Sequence, residues 1–249
     1  MYRDNTVHGV RGLFTDLLIR RQFVTDKTGS RMLEIQGASF LANEDRIFGE
    51  PNLDYIRREI EWYKSCSLNV NDIPEGPPVI WKQVATAAGK INSNYGHLIW
   101  SAENGRQYDN VLRELIHHEQ SRRAVMIYTR PSIHNEFNTD GMSDFICTNT
   151  VTYQIRDGFL DAIVNMRSND SRFGYLNDRP WNLYVQGRLL EDLRQYYPGL
   201  SLGKLYWQAA SLHVYEKDFF LVDYYYKKGV PNISKPEYRA LYPDSPWSN

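Results

Sequence analysis

The chain has 249 residues, 42% hydrophobic and 24% charged, with a net charge of −1. That is an ordinary globular balance, long enough for a large core, and it excludes a broad basic field, so no direct nucleic-acid binding is expected. Its two cysteines cannot make a disulfide framework and no Cys/His group has zinc-ligand spacing, so a metal is not expected and a reducing cytoplasm is the simplest compartment. Met1-Tyr2-Arg3-Asp4 opens without a signal-peptide apolar run, and no apolar stretch reaches the roughly 18 residues of a membrane span, so no membrane partner is expected. No Gly/Ser- or Pro-rich linker, internal repeat or low-complexity tract divides the sequence, and 1–249 reads as a single domain. An aromatic content of 14%, with 18 tyrosines, suits a protein that stacks planar groups and equally suits a large core.

In chain order, Lys27-Thr28-Gly29-Ser30-Arg31 is a Gly-containing basic turn. Leu53, Ile56, Ile60 and Tyr63 recur at helical spacing behind Asn52, an N-cap residue type, and predict a helix over 52–66. Glu59 lies on its flank with Tyr55 and Trp62. A carboxylate among aromatics has its pKa raised and can act as acid or base, although helix glutamates are usually solvated. Cys66, at the end of this helix, is read as a structural cysteine.

The period then changes. Arg123 to Arg130 and Phe145 to Ile155 alternate with a period of two and are rich in Val, Ile, Thr and Tyr, which predicts strands. Asp157-Gly158 supplies a hairpin turn and Phe159 to Arg167 the return strand. Counting back from a short loop sets Cys147 across from Ser168 or Arg167. Trp181, Val185, Leu189, Leu190, Leu193 and Tyr197 mark a long amphipathic helix. A last strand, Lys204 to Tyr215, puts His213 and Tyr215 on one face, where the ordinary reading is a hydrogen-bonded structural histidine and a half-buried tyrosine. This order of elements gives an α/β protein around a largely non-parallel mixed sheet.

The chemistry centres on Cys147, within Asp144-Phe145-Ile146-Cys147-Thr148-Asn149-Thr150, with Arg167-Ser168-Asn169-Asp170 one strand later. A free thiol is mostly protonated at neutral pH and a nearby fixed cation favours the thiolate, so thiol plus guanidinium is the makeup of an activated nucleophile. The competing reading is a small buried hydrophobe. Ser121-Arg122-Arg123, Arg167-Ser168 and the Lys27 turn offer three separated basic groups for one phosphate, to which arginine donates two parallel hydrogen bonds. Arg31 and Arg130 are read as surface ion pairs.

Taken together, the residues resemble the thymidylate synthase family, and within it the branch that hydroxymethylates deoxycytidylate in T-even bacteriophages. The matching motifs are Asp26-Lys27-Thr28-Gly29, Arg58-Glu59-Ile60-Glu61-Trp62, Asn94-Tyr95-Gly96, Ser121-Arg122-Arg123, the Cys147 strand, Arg167-Ser168-Asn169-Asp170 with Phe173-Gly174, and His213-Val214-Tyr215. They run from about Lys27 to about Tyr226. The resemblance implies a homodimer with sheets packed back to back and each site completed by the partner's arginines. It implies that Cys147 attacks C6 of a pyrimidine nucleotide and that C5 takes a one-carbon unit from 5,10-methylenetetrahydrofolate. It further implies that Arg167, Ser168 and Lys27 hold the phosphate, with Arg122 and Arg123 from the other subunit, and that His213 and Tyr215 bind the sugar hydroxyl. Glu59 would organise water and proton transfer, Tyr95 would assist proton removal at C5, and Asp170 with Trp81 would line the folate site.

Departures from the synthase pattern point to the substrate. Where synthases carry an asparagine, Tyr175-Leu176-Asn177-Asp178 puts Asp178, counted from Phe173-Gly174, with Asn177 the adjacent competitor. A carboxylate only accepts hydrogen bonds; it favours the 4-amino group of cytosine and repels uracil O4. The synthases' proline and histidine around the cysteine are Ile146 and Thr148, and their arginine in the basic turn is Lys27. Pro246-Trp247-Ser248-Asn249 differs from the short apolar terminus that closes over folate in synthases. The expected activity is hydroxymethylation of dCMP by water addition, set against methylation or hydroxymethylation of dUMP or CMP, and against a nucleotide- or RNA-binding protein without turnover.

Overall fold

The computed structural model describes residues 5–248; Met1-Tyr2-Arg3-Asp4 and Asn249, on which the leader and tail readings partly fell, lie outside the described residues. The first elements are α1 (Val7–Ile19), β1 (Val24–Thr25), β2 (Arg31–Leu41), α2 (Leu53–Ser65), α3 (Val79–Val84), α4 (Tyr95–Trp100) and α5 (Gln107–His117). There follow β3 (Val125–Ile127), α6 (Ile133–Glu136), β4 (Thr148–Arg156), β5 (Phe159–Met166) and β6 (Asn169–Asp170). The last are α7 (Phe173–Arg194), β7 (Ser201–Tyr215), α8 (Phe219–Lys228) and α9 (Lys235–Leu241). The strands form a mixed, mostly antiparallel sheet, the α/β class expected from the sequence.

Two compact units are assembled from separated stretches. One takes residues up to Pro51, Met166–Pro180 and Leu205 onward; the other takes Asn52–Asn165 and Trp181–Lys204.

In the first unit α1 buries Val7, Val10, Phe14 and Leu18, one stripe at helical spacing, against α8 and β2. Arg11 on the same helix is 4% exposed, a burial made tolerable by hydrogen bonds to Ile47 O (2.7 Å), Arg46 O (2.5 Å) and Glu44 (2.7 Å). β2 runs antiparallel to β7, and the facing pairs Leu33–Val214 and Phe40–Trp207 are all buried. β6 lies parallel to β7 and sets Asp170 beside His213. Residues 235–248 are fastened to this unit: Ser234 and Glu237 form a capping box on α9, Trp247 meets Phe219 and Phe23 edge-on at 5.2 and 6.0 Å, and Arg239 donates to Ser248 O.

In the second unit β3 pairs with β4, Val125 opposite Thr152. Asp157 (φ 51°) and Gly158 (φ 77°) make the β4–β5 turn with positive φ at both positions, the geometry that matches strand twist. Val151, Tyr153, Ile155, Leu160, Ala162 and Val164 are buried at alternate positions along the hairpin. α4 packs on α2 at a contact only glycine permits: a Cβ on Gly96 would sit 1.8 Å from Tyr63 O. Asn94 fixes that approach, its Nδ2 donating to Trp62 O (3.0 Å) and Ser67 O (2.9 Å) while its Oδ1 caps His97 N (2.8 Å).

Several boundaries differ from those read in the sequence. The strand expected over 123–130 is confined to Val125–Ile127, because Arg123 turns into an ion pair with Glu114 and Arg130 into one with Glu136. The strand expected from Phe145 begins at Thr148, since Asp144 instead gathers Asn92 N (2.7 Å), Ser93 N (2.8 Å) and Ser93 Oγ (2.6 Å). α7 starts at Phe173 rather than near Trp181: Pro180 lies inside it, costing one intrahelical hydrogen bond without ending the helix.

Candidate active site

Cys147 is half-buried, forms no disulfide, and immediately precedes β4. Its thiol lies 3.8 Å from Phe145 O. Cys66 likewise forms no disulfide, but it is the left-handed C-cap of α2 (φ 57°) and burial pushes its thiol up, away from thiolate.

The second unit carries Cys147, Glu59, Trp81, Tyr95, Arg122 and Arg123. Thr148, next to the cysteine, donates through Oγ1 to Tyr95 Oη at 3.1 Å, and Tyr95 stacks on Tyr63 with ring centroids 5.2 Å apart. Tyr63 lies one turn beyond Glu59 on α2, so helix, tyrosine pair and cysteine strand are linked by direct contacts. Glu59 is 5% exposed; burial raises its carboxyl above the usual range against two hydrogen bonds that lower it. Those bonds come from Tyr55 Oη (2.5 Å) and Trp81 Nε1 (3.1 Å), both to Oε1. Burial, followed by the Glu59 charge, drives the Tyr55 phenol strongly upward, so it stays a donor.

Arg123 pairs with Glu114 through Nε and Nη2, both at 3.0 Å, and Arg122 is exposed. Neither contact involves another predicted site residue. Trp81 is half-exposed and its α3 neighbours Val79 and Ile80 are 68% and 61% exposed, an apolar ledge of the kind a planar heterocycle covers. That fits a pterin-like group at Trp81.

The first unit carries Lys27, Arg167, Ser168, Asp170, Asn177, Asp178, His213 and Tyr215. Lys27 is exposed in a turn organised by Asp26, whose Oδ1 accepts from Thr28 N (2.8 Å), Thr28 Oγ1 (2.6 Å) and Ser30 N (2.9 Å). The Thr28 hydroxyl chiefly holds the Asp26 carboxyl below its usual range. His213 is 6% exposed, with Tyr215 edge-on at 5.0 Å and Ser211 Oγ 3.4 Å from Nδ1. Arg167 O accepts from Ser211 N at 3.3 Å, and Ser168 is half-buried between β5 and β6. Asp170 Oδ1 accepts from Arg172 N (2.8 Å) at the head of α7. Asn177 turns its amide back to Phe173 O (3.0 Å), whereas Asp178 Oδ2 accepts from Asn169 Nδ2 (2.8 Å).

Two residues of this architecture carried no role in the sequence reading. Asn169 is 3% exposed, and its Oδ1 is buried without a partner. Its signal was an amide inside the Arg167–Asp170 motif. Tyr55 was visible only as an aromatic one turn before Glu59. Arg31 pairs with Glu216 and Arg130 with Glu136, as read. No helix among the described residues is long and apolar enough to cross a membrane, and none of their His/Cys/Asp/Glu groups could hold a metal ion.

The chain is 51% identical over 243 residues to the deoxycytidylate 5-hydroxymethyltransferase of Enterobacteria phage T4, covering 95% of this chain and 97% of the phage protein. The corresponding protein of phage T6 is 51% identical over 241 residues, covering 94% and 96%. A thymidylate synthase of Bacillus licheniformis is 27% identical over 144 residues, 55% of this chain and 48% of that protein. The family model described as thymidylate synthase matches residues 50–236, three-quarters of the sequence, and the chain belongs to the thymidylate synthase family.

Proposed function

We propose that the protein is a deoxycytidylate 5-hydroxymethyltransferase, converting dCMP, 5,10-methylenetetrahydrofolate and water to 5-hydroxymethyl-dCMP and tetrahydrofolate. The observation that carries this reading is the carboxylate of Asp178 with Asn169 Nδ2 at 2.8 Å. A carboxylate held this way presents only acceptors, which suits the 4-amino group of cytosine, with a proton at N3 completing a bidentate pair; uracil O4 would face a negative oxygen. Asn177 spends its amide on Phe173 O, which favours Asp178 as the base reader.

In this reading Cys147 adds to C6 as thiolate, and the electron density moved to C5 makes that carbon the nucleophile. The folate co-substrate supplies the one-carbon unit. Tyr95, held by Thr148, assists removal of the C5 proton. Glu59, buried and shifted towards the neutral acid, passes a proton to or from water that adds to the exocyclic methylene. Arg167, Ser168 and Lys27 hold the 5′-phosphate, and His213 with Tyr215 the sugar hydroxyl. Trp81 and Asp170 line the folate site.

The reading includes a homodimer in which Arg122 and Arg123 of the partner subunit complete the phosphate clamp. The Arg123 side chain is held by its solvent-exposed pair with Glu114, a weak contact beside a bidentate phosphate contact. The 5-hydroxymethyl transfer named for the phage relatives favours water over hydride as the final reactant. The phage source of the relatives supports a place in the cytoplasm of an infected cell.

The test is turnover of purified protein with 5,10-methylenetetrahydrofolate and either dCMP or dUMP. A product from dCMP heavier by one hydroxymethyl group supports the reading; turnover of dUMP alone removes it.

A further inference from the structure

Tyr55 stands one helical turn before Glu59 on α2, and three groups there close a triangle of hydrogen bonds. Trp81 Nε1 donates to Tyr55 Oη (2.8 Å) and to Glu59 Oε1 (3.1 Å), and Tyr55 Oη donates to the same Oε1 (2.5 Å). Glu59 Oε2 receives no hydrogen bond from the described residues. The phenol is itself fixed: Asn52 Oδ1 caps Tyr55 N at 3.0 Å, and the Arg58 guanidinium lies 5.6 Å from its ring centroid. A carboxylate bound on one oxygen by two rigid aromatic donors has lost its side-chain rotation, and its other oxygen has a defined direction.

We propose that Tyr55 is a positioning residue for Glu59: with Trp81 it saturates Oε1 and so dedicates Oε2 to exchanging a proton with the reacting water. This rests on the assignment of Glu59 as the proton-transfer group. Tyr55 touches no substrate in this account and acts only through the glutamate. Because Trp81 belongs also to the proposed folate ledge, the indole joins the stacking surface to the carboxylate.

Tyr55→Phe keeps the ring, the Arg58 contact and the capped backbone, and removes the hydroxyl that donates to Glu59 Oε1 and accepts from Trp81 Nε1. Measured on the full chain with dCMP and 5,10-methylenetetrahydrofolate, it is expected to lower kcat about 10- to 100-fold. The dCMP dissociation constant and the folate KM are expected to stay within about twofold, because no group assigned to dCMP changes and the Trp81 indole keeps its hydrogen bond to Glu59 Oε1. In a Glu59→Gln background the same substitution should change kcat by less than about twofold, since its effect passes through the carboxylate. A thermal melt and dCMP binding report folding independently of turnover. An unchanged kcat in Tyr55→Phe, or an equal loss with and without Glu59, overturns the proposal. Failure of the parent protein to convert dCMP overturns the functional reading instead, so the two failures are distinguishable.

Discussion

Asn169 donates through Nδ2 to Asp178 Oδ2 at 2.8 Å, while its own Oδ1 stays buried without a partner. The orientation follows from charge: a carboxylate accepts only, so the amide must turn its nitrogen to Asp178 and its oxygen away. A Cβ on Gly174 would lie 2.8 Å from that nitrogen, so the first turn of α7 packs directly on the amide.

Substitution at this pair should therefore move base preference. Asp178→Asn restores a donor, and the ratio of kcat/KM for dCMP over dUMP should fall by at least about 100-fold, the scale of leaving one hydrogen-bonding group mismatched in a buried site. Asn169→Ala should weaken dCMP turnover about 10-fold by releasing the carboxylate. Parallel assays with the two nucleotides check both; an unaltered ratio in Asp178→Asn contradicts the base-reading role.

Cys147→Ser replaces a thiolate by a hydroxyl that stays protonated. Turnover should fall at least about 1,000-fold while equilibrium binding of dCMP persists. Appreciable turnover in this variant would remove Cys147 as nucleophile.

Glu59 gives a pH signature of defined sign. Burial raises its folded pKa above the unfolded value, so the protonated form is the one folding favours. Its contribution to stability is complete below the unfolded pKa and is lost as pH rises through the folded pKa. Melting temperature against pH should thus fall more steeply for the parent than for Glu59→Gln, whose amide does not titrate. Parallel curves would deny the shift. The same variant should lose about 100- to 10,000-fold in kcat.

Gly96→Ala tests the packing that brings Tyr95 to Thr148. With the new carbon 1.8 Å from Tyr63 O, α4 must move away from α2, at about 3 kcal/mol of stability. Denaturant unfolding should show that loss; a change under about 0.5 kcal/mol would mean the two helices separate freely.

The α/β class and the elements with strong periodicity were legible in the sequence. Alternation and the Asp157-Gly158 turn announced the β4–β5 hairpin, and Asn52 announced α2 one residue from where it begins. Boundaries set by side-chain partners were not. Asp144 ends the approach to β4 by capturing Asn92 and Ser93, a contact across about fifty residues that no local pattern encodes. The apolar spacing that begins at Trp181 does not extend to the first turns of α7, which starts at Phe173 and absorbs Pro180. At the candidate site the residue types were visible as ordered motifs, whereas which oxygen of Glu59 is bound, and which amide holds Asp178, depends on rotamers fixed only by packing.

In the proposed mechanism water, not hydride, completes the reaction on cytosine. The most direct measurement is a turnover of dCMP with 5,10-methylenetetrahydrofolate in oxygen-18 water, reading the nucleotide by mass and the folate by oxidation state. The expected product is 5-hydroxymethyl-dCMP carrying one heavy oxygen, with tetrahydrofolate. A 5-methyl product without heavy oxygen, accompanied by dihydrofolate, would contradict it.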